Sequence, residues 1–174
     1  MSEPARPPRQ PLPRAITDRL RDLGLHRDTL LYAMNEIGDG FPRDRFVAAA
    51  TSNDPAERSP VLAVERGFEI LMNYLTELTV AGLVAAGYRN PAEEVSAPRE
   101  FRALRKEGGI SDELCERLIA LHRTRNDLQH GYPTLRANTL HGAVVELLRD
   151  FPAFMRSYPA WLREHVLDEE RAGS

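Results

Sequence analysis

Val64, Phe68, Leu71, Leu75 and Leu78 follow one another in alternating steps of four and three. That rhythm puts five apolar side chains on one stripe of an α-helix, whereas a half-buried strand would need steps of two. The same segment carries Ile70, Met72 and Val80 off the stripe. Its apolar surface is therefore broader than one neighbouring helix covers, which calls for a central place in a bundle, a share in an oligomer interface, or both. Ser59 before Pro60 reads as an N-cap and first-turn pair, giving a helix over roughly residues 60–86.

The rest of the chain has the same helical character. Leu20, Leu23, Leu30, Leu31, Met34 and Ile37 mark a first helix over roughly residues 16–37, with Gly24 as a candidate break and Gly38 and Gly40 as its stop. A short helical piece is expected at about residues 44–50. Pro98 opens another short helix that Gly108 and Gly109 end. Ser111 then caps a helix with Asp112 and Glu113 in its first turn, where the macrodipole favours acids. This helix is expected to run to about His130, stopped by Gly131 and Pro133. A last helix, roughly residues 135–166, carries Leu140, Val144, Leu147, Leu148, Phe151, Met155, Tyr158 and Leu162, with Pro152 and Pro159 as kink positions. No segment alternates as a strand does, and no internal repeat is visible. The expectation is an all-α, up-and-down bundle of about five helices with no sheet. It occupies residues 15–166 as one domain, between a mobile leader (1–14) rich in proline and arginine and a polar, flexible tail (167–174).

Charge and composition narrow the function. A formal charge of −3 over 174 residues argues against indiscriminate gripping of nucleic acid, which rests on summed phosphate neutralisation, but it leaves room for a local cationic site. Lys106 is the only lysine, so nearly every cation is an arginine, whose planar fork suits phosphate and carboxylate alike. The single cysteine, Cys115, excludes an intramolecular disulfide and reads as a core thiol. Apolar runs are interrupted before the roughly 20 residues that a membrane span needs, and no apolar signal core opens the chain. A cytoplasmic protein is expected.

One position breaks the pattern. Leu114, Leu118, Leu121, Arg125 and Leu128 keep the four-and-three spacing, so Arg125 stands where an apolar residue belongs. A guanidinium there stays charged and must find a carboxylate, a carbonyl, a phosphate or water. Glu65 or Glu69 on the helix over 60–86 could serve as an ion-pair partner. Asn126 and His130, four apart, share a face, with Arg125 and Gln129 as the neighbouring row. His130 could equally be a C-terminal capping residue and Tyr132 a loop aromatic folded back on the bundle. His122 and His141 have no spacing that suggests a metal site and read as solvated or core histidines.

The stretch Arg125-Asn126-Asp127-Leu128-Gln129-His130-Gly131-Tyr132 resembles the Arg-x4-His-x-Tyr signature of the HepT-like ribonuclease toxins, a group of HEPN-domain proteins. Ala63-Val64-Glu65-Arg66 near the start of a long helix, the Gly109-Ile110-Ser111 link and Leu148-Arg149-Asp150-Phe151-Pro152 are similar to the family in order and spacing. The resemblance covers about residues 16–162. It implies a HEPN-type helical bundle that forms a homodimer, with two motif-bearing helix ends meeting in a cleft. It also implies a metal-independent endoribonuclease, without cofactor, that uses the RNA 2'-hydroxyl as internal nucleophile. Arg125 and His130 would then be catalytic, with Asn126 binding or orienting the phosphate. The family's usual partner is a minimal nucleotidyltransferase antitoxin, which in some systems transfers AMP to the tyrosine of the motif; Tyr132 is the matching acceptor. Polar Gln129 before the histidine and Pro133 after the tyrosine depart from the common pattern, and bear on the exposure of Tyr132. The rival reading is a non-catalytic HEPN scaffold that binds nucleic acid or the nucleotidyltransferase; a plain structural helical dimer would leave Arg125 incidental.

Overall fold

A computed structural model describes residues 13–128 and 133–166, the first three of the second stretch by backbone alone. Among the described residues there are six α-helices and no strand: α1 (Arg14–Ile37), α2 (Arg43–Thr51), α3 (Pro55–Ala85), α4 (Ala97–Lys106), α5 (Asp112–Asp127) and α6 (Pro133–His165). The short piece expected near residue 44 is a full helix of nine residues, so the bundle has six helices instead of about five. The leader up to residue 12, residues 129–132 with His130 and Tyr132, and the tail from residue 167 lie outside the described residues.

The helix starts follow cap chemistry. α3 begins a turn earlier than Ser59-Pro60 suggests, because Asp54-Pro55 offers the same signal upstream: Asp54 Oδ1 accepts from the Ala56 amide at 2.8 Å, and Pro55 takes the first helical position. Pro60 then lies inside the helix, where the carbonyl it leaves without a donor, that of Ala56, belongs to an exposed residue and reaches water. Gly24 does not break α1, which runs unbroken for 24 residues. Ser111 caps α5 as its sequence demands, its Oγ accepting from the Leu114 amide at 3.2 Å. α6 starts at Pro133, two residues before the expected start, and continues through Pro152 and Pro159.

The stripe of α3 is buried throughout: Val64, Phe68, Leu71, Leu75 and Leu78 have no exposed surface. α3 packs on α1, α2, α4, α5 and α6, which places it at the centre of the bundle. By length and composition alone α3 could also cross a membrane, but its apolar residues are turned into this core. It meets α6 closely at Gly82, where an added Cβ would come within 2.6 Å of Tyr158 Oη. That approach lets the Tyr158 hydroxyl donate to the Leu78 carbonyl, and burial raises the pKa of the phenol. His141 is a core histidine: it stacks on Phe41 with ring centroids 4.5 Å apart, and its Nε2 donates to the Phe41 carbonyl at 2.8 Å. Cys115 is fully buried, and desolvation raises its thiol pKa.

Between α3 and α4 the chain makes a connection, residues 86–96, that Arg89 grips, with Arg99 also donating to the Glu94 carbonyl. Arg89, 8 % exposed, donates from Nε to Glu100 Oε2 at 3.0 Å, from Nη1 to the Asn90 carbonyl at 3.0 Å, and from Nη2 to the carbonyls of Glu93 and Glu94 at 2.8 and 3.2 Å. Glu100 is itself buried and also meets Arg99 Nη2 at 2.9 Å and the Ser96 amide at 3.3 Å. Both buried charges are thus paired and hydrogen-bonded, the condition under which burial is tolerated.

Candidate functional site

The last two turns of α5 carry His122, Arg125 and Asn126. Ahead of them Leu114, Leu118 and Leu121 are buried, and behind them Leu128 is 7 % exposed, so Arg125 does sit in an otherwise apolar seam. Its Nε is buried and, among the described residues, has no hydrogen-bond partner. The remaining contact is thin: Nη1 lies 3.5 Å from Asn126 Oδ1, at the outer limit of a hydrogen bond. Neither suggested carboxylate answers it. Glu65 pairs with Arg136 of α6, and Glu69 pairs with Arg66 within α3 at 3.2 Å. Among the described residues Arg125 has no ion pair.

An orphaned, buried N–H costs about 1–3 kcal/mol. A seam position filled by leucine would avoid that cost, so the arrangement makes physical sense if an acceptor arrives from outside. Phosphate supplies negative charge and pairs of acceptor oxygens that the planar fork of a guanidinium matches. The location adds a second reason for an arginine. The carboxyl end of a helix carries partial negative charge, which repels an anion unless a full cation offsets it.

Asn126 links Arg125 to a residue that sequence reasoning passes over. With its Oδ1 turned to Arg125, its Nδ2 lies 3.5 Å from His122 Nε2 and can donate to it. His122 is half-buried, and its pKa is lowered, first by burial and then by the charge of Arg125. A neutral ring with an unprotonated Nε2 fits both the amide's direction and that shift. The signal in the sequence is the four-residue step from His122 to Asn126, the same step that joins Asn126 to His130. Of the four residues singled out from sequence, the structure describes two, Arg125 and Asn126, and brings them side by side; His130 and Tyr132 fall in the undescribed link to α6. Among the described residues no three histidine, cysteine or acidic side chains stand close enough to hold a metal ion.

A family model described as Ribonuclease HepT-like matches residues 44–158, well over half of the chain, including α3, α5 and the stretch from Arg125 to Tyr132. The chain belongs to the HepT-like ribonuclease family. The match lies within the wider span, residues 16–162, over which the sequence resembles that group, and it leaves α1 outside. Among curated proteins and among solved structures, nothing matches this HepT-like chain.

Proposed function

We propose that this protein is a metal-independent endoribonuclease toxin that cuts cytoplasmic RNA by attack of the 2'-hydroxyl on the adjacent phosphate. In that reaction the 2'-oxygen bonds to phosphorus while the bond to the 5'-oxygen breaks. One base takes the 2'-hydroxyl proton and one acid protonates the leaving 5'-oxygen, leaving a 2',3'-cyclic phosphate and a 5'-hydroxyl. The observation that carries the reading is the buried, unpartnered Nε of Arg125 at the end of α5, in a chain of the HepT-like family. Arg125 stabilises the extra negative charge of the phosphorane-like state, and Asn126 orients the phosphate.

His130 exchanges the protons, since an imidazole titrates near neutral pH. A homodimer that brings two α5 ends together supplies two such histidines, one as base and one as acid. A minimal nucleotidyltransferase antitoxin neutralises the toxin; AMP placed on Tyr132 would add a phosphodiester anion that competes with RNA for Arg125.

The test is incubation of the purified dimer with total RNA in the presence of a chelator, comparing wild type with Arg125→Ala and His130→Ala after circular dichroism confirms that all three are folded. Cleavage by wild type alone supports the reading. Equal inactivity of all three, with RNA still bound, points to a non-catalytic scaffold.

A further inference from the structure

Beside the candidate site lies a recess of about 660 Å³ between α3, the connection held by Arg89, and α5. His122 stands at its α5 edge, three residues before Arg125 and four before Asn126, which is about 4.5–6 Å along the helix axis. Asn73 and Glu77 of α3 line the side opposite the connection, which contributes Glu94 and Ser96, and Pro98 of α4 continues that wall. No arginine or lysine lines the recess. Neither the Glu77 nor the Glu94 carboxylate has an ion pair among the described residues.

These walls select by charge and by hydrogen bonding. Arg99 donates to the Glu94 carbonyl and feels its carboxylate charge but does not line the recess, so the two lining carboxylates disfavour a phosphate there and the recess is not a second anion site. They accept hydrogen bonds, and the recess is bordered by the imidazole of His122, an aromatic ring against which a heterocycle can stack, and by the apolar ring of Pro98. The wall that carries Glu94 is also prebuilt, because Arg89 grips the carbonyls of Glu93 and Glu94 whether or not a ligand is present.

We propose that this recess is a nucleobase subsite that takes the base next to the phosphate held by Arg125 and favours bases bearing an exocyclic amino group over uracil. The proposal rests on the ribonuclease reading for the identity of the phosphate. Adenine, cytosine and guanine each present an amino donor to a carboxylate, whereas uracil presents two carbonyl oxygens and one N–H. Glu77 and Glu94 are the specificity-determining residues, and His122 joins the base subsite to the phosphate site through Asn126.

The test uses binding, so it does not depend on cleavage. Fluorescein-labelled tetradeoxynucleotides of adenine, cytosine or uracil, which lack the 2'-hydroxyl and cannot be cut by this route, are titrated into the full-length protein and read by anisotropy. The adenine and cytosine oligomers should bind about tenfold tighter than the uracil oligomer, the discrimination that one well-made base contact supplies. The double variant Glu77→Gln, Glu94→Gln, at two exposed positions, should lose that preference and gain affinity for uracil, because an amide can donate to its carbonyls. Equal binding of the three oligomers by wild type, no binding of any of them, or a preference that survives in the double variant overturns the subsite. A protein that cuts RNA without discriminating bases keeps the ribonuclease reading and loses the subsite; one that discriminates without ever cutting does the reverse.

Discussion

Two arginines in this bundle, Arg89 buried and Arg125 half-buried, carry donors withdrawn from water, and those donors are provided for differently. Arg89 spends its guanidinium on one carboxylate and three carbonyls, all supplied within eleven residues of itself. Arg125 has a buried Nε with nothing to donate to, and one long contact to the neighbouring amide. A saturated guanidinium is a fastener whose capacity the fold has consumed. An unsaturated one is capacity held back at a cost in stability, the pattern expected where function and stability compete. Residue type alone would have ranked the two arginines alike; the count of satisfied donors separates them.

The largest effect should come from the fastener. Arg89→Ala leaves the Glu100 carboxylate buried with only Arg99 and an amide to meet it, and a broken buried pair typically costs about 3–5 kcal/mol. Chemical denaturation should register that loss, with RNA cleavage falling at least as far as the folded fraction does. The mirror-image experiment is Arg125→Met, which fills the seam with an apolar side chain. Cleavage should drop by about 10²–10³-fold, the usual cost of removing one donor to a transition-state anion. The unfolding midpoint should hold or rise, because the orphaned N–H is gone; a loss as large as that of Arg89→Ala would make Arg125 a fastener too. A smaller effect follows for the wild type in inorganic phosphate at constant ionic strength. An anion bound only by the folded state at ten times its Kd stabilises by about 1.4 kcal/mol, and Arg125→Met should not respond.

The smallest effect belongs to His122. Its pKa is lowered in the folded state, so at pH values between that pKa and the ordinary histidine value of about 6.5 the unfolded chain binds more protons than the folded one. Stability should therefore fall as pH drops below about 6.5 and level off once the folded-state pKa is passed. His122→Gln should flatten that slope in urea melts taken between pH 7 and 5; an unchanged slope would assign it to other groups.

Much of this contrast was legible in the sequence, and its limits have physical causes. Arg125 announces itself because a period of 3.6 residues makes one charged position in an apolar stripe visible without coordinates. The α3 stripe and the Ser111 cap were legible for the same reason: both are local patterns that tertiary packing had no cause to override. The start of α3 was not, since Asp54-Pro55 and Ser59-Pro60 are equivalent start signals and the choice between them is made by the rest of the fold. Arg89 was illegible because its partners are mostly backbone carbonyls, which carry no sequence signature. The same holds for the recess, whose walls come from three separate stretches of chain, and for Glu65, whose pairing with Arg136 joins residues far apart in sequence. His122 had a readable step to Asn126 but no neighbour in sequence to mark it as more than a solvated histidine.

The grip of Arg89 on the connection between α3 and α4 has one more consequence. A carbonyl oxygen is the same acceptor whichever side chain its residue bears, so a guanidinium that holds Asn90, Glu93 and Glu94 by their backbones is indifferent to the identity of those residues. Asn90 and Glu93 still shape the turn through their own side chains, which accept from the Ala92 and Asn90 amides, but at Glu94 the path of the segment and its lettering are uncoupled. Descendants of this chain can rewrite position 94 and trial a new lining beside α5 without renegotiating the architecture beneath it.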